Sequence, residues 1–341
     1  MAERKPQRPL PAGVISSGSR WDGEDRESQV RARAPKQSEP RAEPSDPSTA
    51  TERATPEDRA RSLVDELIEQ GPESLAPLVR RLLPLGNFAL EELASAFPGP
   101  LWRPSLATDS RLPRPEELSA SAAALTAFGE EAIPYVSRLM RSAKTEARYY
   151  ATVVCAAYAD PRLVGPLARV ALDQDRECRR IALHLLSSYE HEPTYRAALA
   201  EMRKHASDVA MPIATRRRAI SALTQLRDEA AAALFVDLLA DSDRGIGTAS
   251  RIGLRVLTAH DFGFSRESWL RWLSELGHES RIQWLIEGLG DGRTNIRLLA
   301  SRELWRLTRF LQPLSETAKR EAFVEAQQHY QQWWAKRSPP G

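Results

Sequence analysis

The chain has 341 residues, 42% of them hydrophobic and 28% charged, which is enough for one long domain or two ordinary ones. Its 48 basic and 46 acidic residues leave a formal net charge of +2, without the clear basic excess usual in general nucleic-acid or anionic-membrane binders. Two cysteines, Cys155 and Cys178, exclude a disulfide framework, and the lack of an apolar signal region or of a run of about 18 apolar residues predicts a soluble cytoplasmic protein.

Residues 1–56 differ in composition from the rest of the chain. They contain eight prolines and a single aromatic residue, Trp21, among Ser, Gln and charged side chains. Such a segment buries too little apolar surface to offset its ordering entropy, so the sequence predicts a disordered arm. Trp21 is either a tolerated exposed residue or a short anchor for a partner.

The pattern becomes helical from Pro56, with Thr55 as the predicted N-cap. Helices of about 10–16 residues then alternate with short turns, and no segment has the alternation of a β-strand. The exception is residues 97–115, where five prolines exclude a helix. We expect an ordered loop there with Trp102 packed against the helices, and an ordered loop of this length is a candidate recognition loop.

The helical region repeats itself. ASRIGLRVLT (249–258) returns as ASRELWRLT (300–308), and an Arg-x-x-Ala signature begins the second helix of four units. In a fifth unit Ile246 occupies the arginine position. We call the four signature residues the ladder arginines: Arg148, Arg179, Arg216 and Arg297. An aspartate precedes two of them by six positions, at Asp173 and Asp291, where it can pair with an arginine of its own or the next unit.

These features resemble the HEAT-repeat family over roughly residues 57–310. The turn aspartate and second-helix arginine of that family match Asp173/Arg179 and Asp291/Arg297. The run AFPGPL…GEEAIPYVSRL…RYYAT, followed by LTAHDFGFSRESWLRWL and HESRIQWLIEGL, is similar to a bacterial branch whose repeats are called phycobilisome-lyase-like.

The resemblance implies an all-α fold, an α-solenoid of stacked antiparallel helix pairs that buries a continuous core. The predicted segments are the arm at 1–56, N-terminal repeats at 57–128, a repeat solenoid at 129–310 and a C-terminal amphipathic capping helix at 311–341. HEAT repeats are chiefly scaffolds and adaptors, so the leading hypothesis is a non-enzymatic protein-binding scaffold with an unidentified protein partner.

Two alternatives stay open. Some DNA glycosylases are built on HEAT-like repeats and use an exposed tryptophan in a basic groove, so nucleic-acid binding is the first. Tetrapyrrole lyase or chaperone activity, which rests on the type of repeat alone, is the second. A contiguous positive strip on the concave face would favour nucleic acid, whereas alternating charge would favour the scaffold.

Side-chain patterns give few candidate site residues. Trp269 and Trp272 share a helix stripe with Leu273, so we expect them, like Trp334 in the last helix, to pack or cap the solenoid. Trp284 lies off its helix stripe and is expected to be partly exposed. No cofactor, metal or catalytic site is predicted, although Cys178 lies near a helix start, where a thiol can acidify. The candidate partner-binding residues are Arg148, Arg179, Arg216, Arg297, Trp284 and Trp21.

Overall fold

A computed structural model of the chain describes residues 54–102, 112–276 and 280–337. Within these ranges the chain forms sixteen α-helices and no β-strand. No helix of the described part is long and apolar enough to cross a membrane. The helices are α1 (Pro56–Ile68), α2 (Leu75–Leu82), α3 (Asn87–Ser95), α4 (Ala120–Ala127), α5 (Ile133–Leu139), α6 (Thr145–Val154), α7 (Val164–Val170), α8 (Arg176–Leu186), α9 (Pro193–Ser207), α10 (Ile213–Leu226), α11 (Ala232–Leu238), α12 (Arg244–Thr258), α13 (Arg266–Leu276), α14 (Arg281–Gly288), α15 (Thr294–Thr308) and α16 (Arg320–Ala335).

The first helix begins as the sequence predicts. The Thr55 hydroxyl accepts a hydrogen bond from the Asp58 backbone N–H, and the Asp58 carboxylate accepts one from the Thr55 backbone N–H. This reciprocal cap satisfies two backbone donors that would otherwise lack a partner at the helix start. The predicted arm before it, including Trp21, lies outside the described residues, which begin at 54.

The helices stack as antiparallel pairs, which confirms the predicted α-solenoid. We call α5, α7, α9, α11 and α14 the first helices, and α6, α8, α10, α12 and α15 the second helices. Each first helix packs on its own second helix, and α6, α8, α10 and α12 pack successively on one another. Each unit thereby covers the apolar face that its neighbour exposes, so the core runs from unit to unit.

Helix α13 is an insertion in this alternation, and its tryptophans are core residues. Trp269 is completely buried and Trp272 nearly so, which confirms the packing role predicted for them. Trp334 is half-buried beside the C-terminal cluster around Phe323 and Tyr330. The expected exposure of Trp284 is wrong, because its side chain is 4% exposed. The inserted helix places the ring of Trp272 against it, with the ring centroids 5.4 Å apart.

The proline-rich segment at 97–115 is described only at its two ends. Trp102 is half-buried against the core, and its backbone N–H donates to the Leu118 carbonyl at 2.9 Å. The middle of the segment, residues 103–111, lies outside the described residues, so the recognition role and the predicted segment boundaries stay predictions.

Replacing Trp269 by Ala should destabilise the fold by about 3–5 kcal/mol, because a large, fully buried ring leaves a cavity. Leu270→Ala is the matched control on the same helix, since Leu270 is 42% exposed and its removal should cost only about 0.5 kcal/mol. Urea unfolding of both variants gives the comparison. Equal losses for the two would contradict the assignment of Trp269 to the core.

Candidate binding face

The ladder arginines fasten the loop that precedes their own helix. In three of them one terminal guanidinium nitrogen, Nη1, donates to the backbone carbonyls six and five positions earlier, at 2.7–3.0 Å. The fourth, Arg216, donates from Nε to the Ala206 carbonyl at 3.0 Å. The six loop carbonyls, and the Ala206 carbonyl in the last turn of α9, have no backbone donor among the described residues, so the arginine supplies the donor that they lack. The three arginines with the shared pattern are Arg148, Arg179 and Arg297.

Two ladder arginines also bind the next unit. Arg148 forms two hydrogen bonds with the Asp173 carboxylate, at 2.7 and 3.1 Å, and Arg216 contacts Asp241 at 2.5 Å. In both pairs the aspartate follows the arginine by 25 residues. Asp173 therefore pairs with the preceding unit, and Arg179 of its own unit contacts only its backbone carbonyl.

The pKa values of these two aspartates are lower than usual. Burial of Asp173 and of Asp241 acts to raise the pKa of each, but hydrogen bonds from Arg148 and Arg216 and from backbone N–H groups outweigh it. Both carboxylates are thus held ionised beside a guanidinium. In each pair the carboxylate and the guanidinium neutralise each other at the contact between one unit and the next.

The ladder arginines therefore bind mainly to groups of the protein itself. The side chains of Arg148 and Arg216 are 16% and 5% exposed, and Arg297 is buried with its guanidinium over the Phe323 ring at 5.1 Å. Arg179 is half-buried. Their assignment to partner binding stays a prediction, and so does that of the buried Trp284.

A second set of arginines lies on the solvent side of the second helices. Within α8, α10 and α12 the sequence has nine arginines, no lysine and a single carboxylate, Glu177. Two of the nine are ladder arginines, and the other seven are exposed or half-buried, so they lie where these helices reach solvent. We call these seven the arginine face: Arg176, Arg180, Arg217, Arg218, Arg244, Arg251 and Arg255.

The arginine face continues from helix to helix. Arg217 of α10 lies across the start of α12, since a Cβ atom placed on Gly245 would be 3.1 Å from its guanidinium carbon. Exposed carboxylates lie instead on the other helices: Glu201, Asp237, Glu267 and Glu275. This separation explains how a chain of net charge +2 presents a basic surface. The sequence signal was the adjacent arginines at 179–180 and 216–218, in which one side chain enters the loop and the next faces solvent.

The positive charge is densest at the C-terminal end of α12. Arg251 forms two hydrogen bonds with Asp261, at 2.9 and 2.8 Å, and Arg255 and Arg293 lie 3.6 and 3.7 Å from the same carboxylate oxygen, Oδ2. Burial acts to raise the pKa of Asp261, but the bonds from Arg251 and the Gly263 N–H hold it below its usual value. Periodicity did not identify this cluster, because Asp261 and Arg293 lie in loops.

The two cysteines are core residues. Cys155 is buried, as expected, and Cys178, although it lies near a helix start, is not acidified. Burial raises the pKa of Cys178 to about 12, and the nearby charges of Asp173 and Asp175 act in the same direction. Among the described residues no three His, Cys, Asp or Glu side chains are grouped so as to hold a metal ion.

Comparison with solved structures finds similarity to several chains, among them two engineered or designed proteins. One, an engineered protein from a structural-genomics effort, is 16% identical, with a TM-score of 0.29 over 72% of this chain and 94% of that chain. The other, a designed armadillo repeat protein, is 14% identical, with a TM-score of 0.28 over 73% of this chain and all of that chain. No protein-family model and no curated protein matches the sequence. The assignment of an α-solenoid therefore comes from the helices of this chain and their packing.

Arg216→Gln should destabilise the protein by about 3–5 kcal/mol, because it leaves the Asp241 carboxylate charged and buried without its cation. The neighbouring Arg217→Gln is the control, since Arg217 is exposed and should change stability by no more than about 0.5 kcal/mol. Urea unfolding at pH 7 measures both. A stable Arg216→Gln variant would show that the ion pair does not fasten the units.

The difference between wild type and Arg216→Gln should depend on pH. Because the folded-state pKa of Asp241 is lowered, the stability that it contributes is present above the pKa of the unfolded chain, about 3.9, and is lost as pH falls through the folded value. The difference in unfolding free energy should therefore shrink below about pH 4. Wild type and Arg217→Gln should run parallel over the same range, and a constant gap for Arg216→Gln would contradict this role of Asp241.

Proposed function

We propose that the protein is a cytoplasmic, non-enzymatic scaffold of the HEAT type, which binds an acidic segment of a partner protein along the arginine face. The observation that carries the proposal is the charge of α8, α10 and α12, with nine arginines and one glutamate. Electrostatic complementarity of this kind accelerates association and excludes partners of the wrong charge.

The HEAT assignment is supported by the loop chemistry. Asp173 and Asp291 stand six positions before a second-helix arginine, as in the family that the sequence resembles, and Arg179 and Arg297 donate to the backbone carbonyls of those same aspartates. The aspartate side chain also has a repeated use, because the Asp173 and Asp291 carboxylates each accept a hydrogen bond from the backbone N–H two positions later. These hydrogen bonds stabilise the turn that immediately precedes the second helix.

The composition of the face supports a protein partner. Arginine and aromatic side chains are enriched at protein interfaces and lysine is depleted, and these three helices contain no lysine. Two large apolar side chains are exposed beside the arginines, Ile252 at 51% and Phe264 at 53%. Phe264 packs under Arg251, whose guanidinium carbon is 5.2 Å from the ring centroid. A partner segment would thus meet apolar as well as charged contacts.

Nucleic acid is the second candidate, and one observation favours it. α10 and α12 carry five arginines of the face and no carboxylate, so this part of the face is the most strongly basic in sequence. A phosphate backbone needs only such a strip, and its affinity would fall steeply with salt. The small net charge of the whole chain argues for the acidic protein, since long-range attraction of a polyanion depends on the summed charge.

The test uses the full chain and two variants that each lose four positive charges. The face variant is R176Q/R180Q/R217Q/R244Q. The control is R80Q/R169Q/R196Q/R320Q, which changes exposed arginines that lie on other helices. Each is used to capture partners from extract of the native host, with and without nuclease. We expect a defined, acidic protein that survives nuclease, is retained by the control and is lost from the face variant.

Other outcomes overturn the proposal in distinct ways. Recovery that disappears with nuclease in wild type and control would move the function to nucleic-acid binding on the same face. Equal capture by the face variant and the control would show that the arginine face is not the binding surface. Thermal melting of the two variants establishes beforehand that both are folded.

A further inference from the structure

The cluster at Asp261 holds more positive charge than this carboxylate neutralises. Arg251, Arg255 and Arg293 lie within 3.7 Å of the Asp261 carboxylate. Three guanidinium groups thus share it. Most of the Asp261 side chain is shielded from solvent, with 6% exposed.

Arg255 is the cation without a full partner. It makes no hydrogen bond in the described part of the chain, and its nearest contact with a carboxylate oxygen is the 3.6 Å to Asp261. Its Nε is shielded from solvent and unpaired, although 29% of the side chain is exposed. An external anion cannot reach the shielded Nε, but it can bind the two terminal nitrogens of Arg255, which make no hydrogen bond in the described part of the chain and are not shielded.

Asp261 fixes the geometry of the neighbours that would receive such an anion. Arg251 uses Nε and Nη2 on Asp261, which leaves its Nη1 free to donate. Arg293 uses Nε and Nη2 on Asp291 and donates from Nη1 to the Asp261 backbone carbonyl, so it contributes charge alone. The donors that remain are Nη1 of Arg251 and both terminal nitrogens of Arg255. Because Arg251 and Arg293 are already held in place, little side-chain entropy is lost when an anion binds.

We propose that Arg251, Arg255 and Arg293 form a binding site for a phosphate monoester group carried by a protein segment. The proposal deepens the function above and rests on it for the protein partner. A phosphate monoester carries a charge of about −1.5 to −2 and three acceptor oxygens, so it can accept from all three free donor nitrogens, whereas a carboxylate has only two acceptor oxygens. The exposed ring of Phe264 beside Arg251 offers an apolar contact for the chain that bears the phosphate.

The test measures binding to the full chain by calorimetry with three small probes. The first is the peptide Gly-Gly-phosphoserine-Gly-Gly, the second is the same peptide without phosphate, and the third is a thymidine dinucleotide with one phosphodiester. We expect the phosphopeptide to bind and the other two to bind at least about tenfold more weakly, because a charge-assisted hydrogen bond to a dianion is lost in each.

Variants locate the site. Arg255→Gln should weaken phosphopeptide binding about tenfold or more, and should fold normally because Arg255 makes no hydrogen bond in the described structure. Arg255→Lys should bind at an intermediate level, since it keeps the charge and loses the planar fork. Arg196→Gln is the matched control: it removes the same charge from an exposed position of α9, outside the arginine face, and should change affinity less than twofold.

Each remaining outcome overturns the proposal. An unphosphorylated peptide that binds equally well would exclude a phosphate site, and a dinucleotide that binds as tightly would assign the cluster to nucleic acid. Loss of binding in Arg196→Gln as large as in Arg255→Gln would reduce the effect to general charge. The four-position face variant keeps Arg251 and Arg255, so phosphopeptide binding by that variant separates this site from the wider partner-binding surface.

Discussion

The stack depends on arginine side chains that leave a second helix and bind the loop beside it. A loop between two packed helices contains backbone carbonyls that no helix satisfies, and leaving them unpaired inside the stack would cost free energy. Arg148 satisfies two such carbonyls and then reaches the aspartate of the next unit. One side chain therefore orders its own loop and fixes the position of its neighbour.

Where the ladder lacks an arginine, other groups supply the connection. Ile246 occupies the ladder position of α12 and is completely buried, so that unit gains packing and loses the donor. Glu303 of α15 instead binds Arg227 at the end of α10 and Arg281 at the start of α14, at 2.7 Å each. Burial acts to raise the pKa of Glu303, but the two arginines hold it below its usual value. The last units are thus joined to the preceding ones by a buried ionic group.

The same helices present the binding face because neighbouring residues on a helix point about 100° apart. In the run at 216–218, Arg216 turns into the stack and Arg217 turns to solvent. A structural cation and an exposed cation are therefore encoded side by side. Arg148 and Arg216 are neutralised by aspartates, whereas the exposed Arg176, Arg217 and Arg244 pair with no carboxylate in the described part of the chain, which gives the face its charge in a chain that is nearly neutral overall.

The sequence by itself determined the helical class, the repeat and the first helix start, because these depend on local spacing: Thr55 caps its own helix, and three of the four signature arginines reach carbonyls only five and six residues away. Tertiary structure alone decided what depends on distant segments. Trp284 is buried because the inserted α13 brings Trp272 against it. Asp261 pairs with both Arg251 and Arg293. These two arginines are 42 positions apart in the chain, so no helical period relates them. Burial and charge at these places are properties of the assembled stack. The sequence alone therefore did not show which arginines are buried in the ladder and which are exposed in the arginine face.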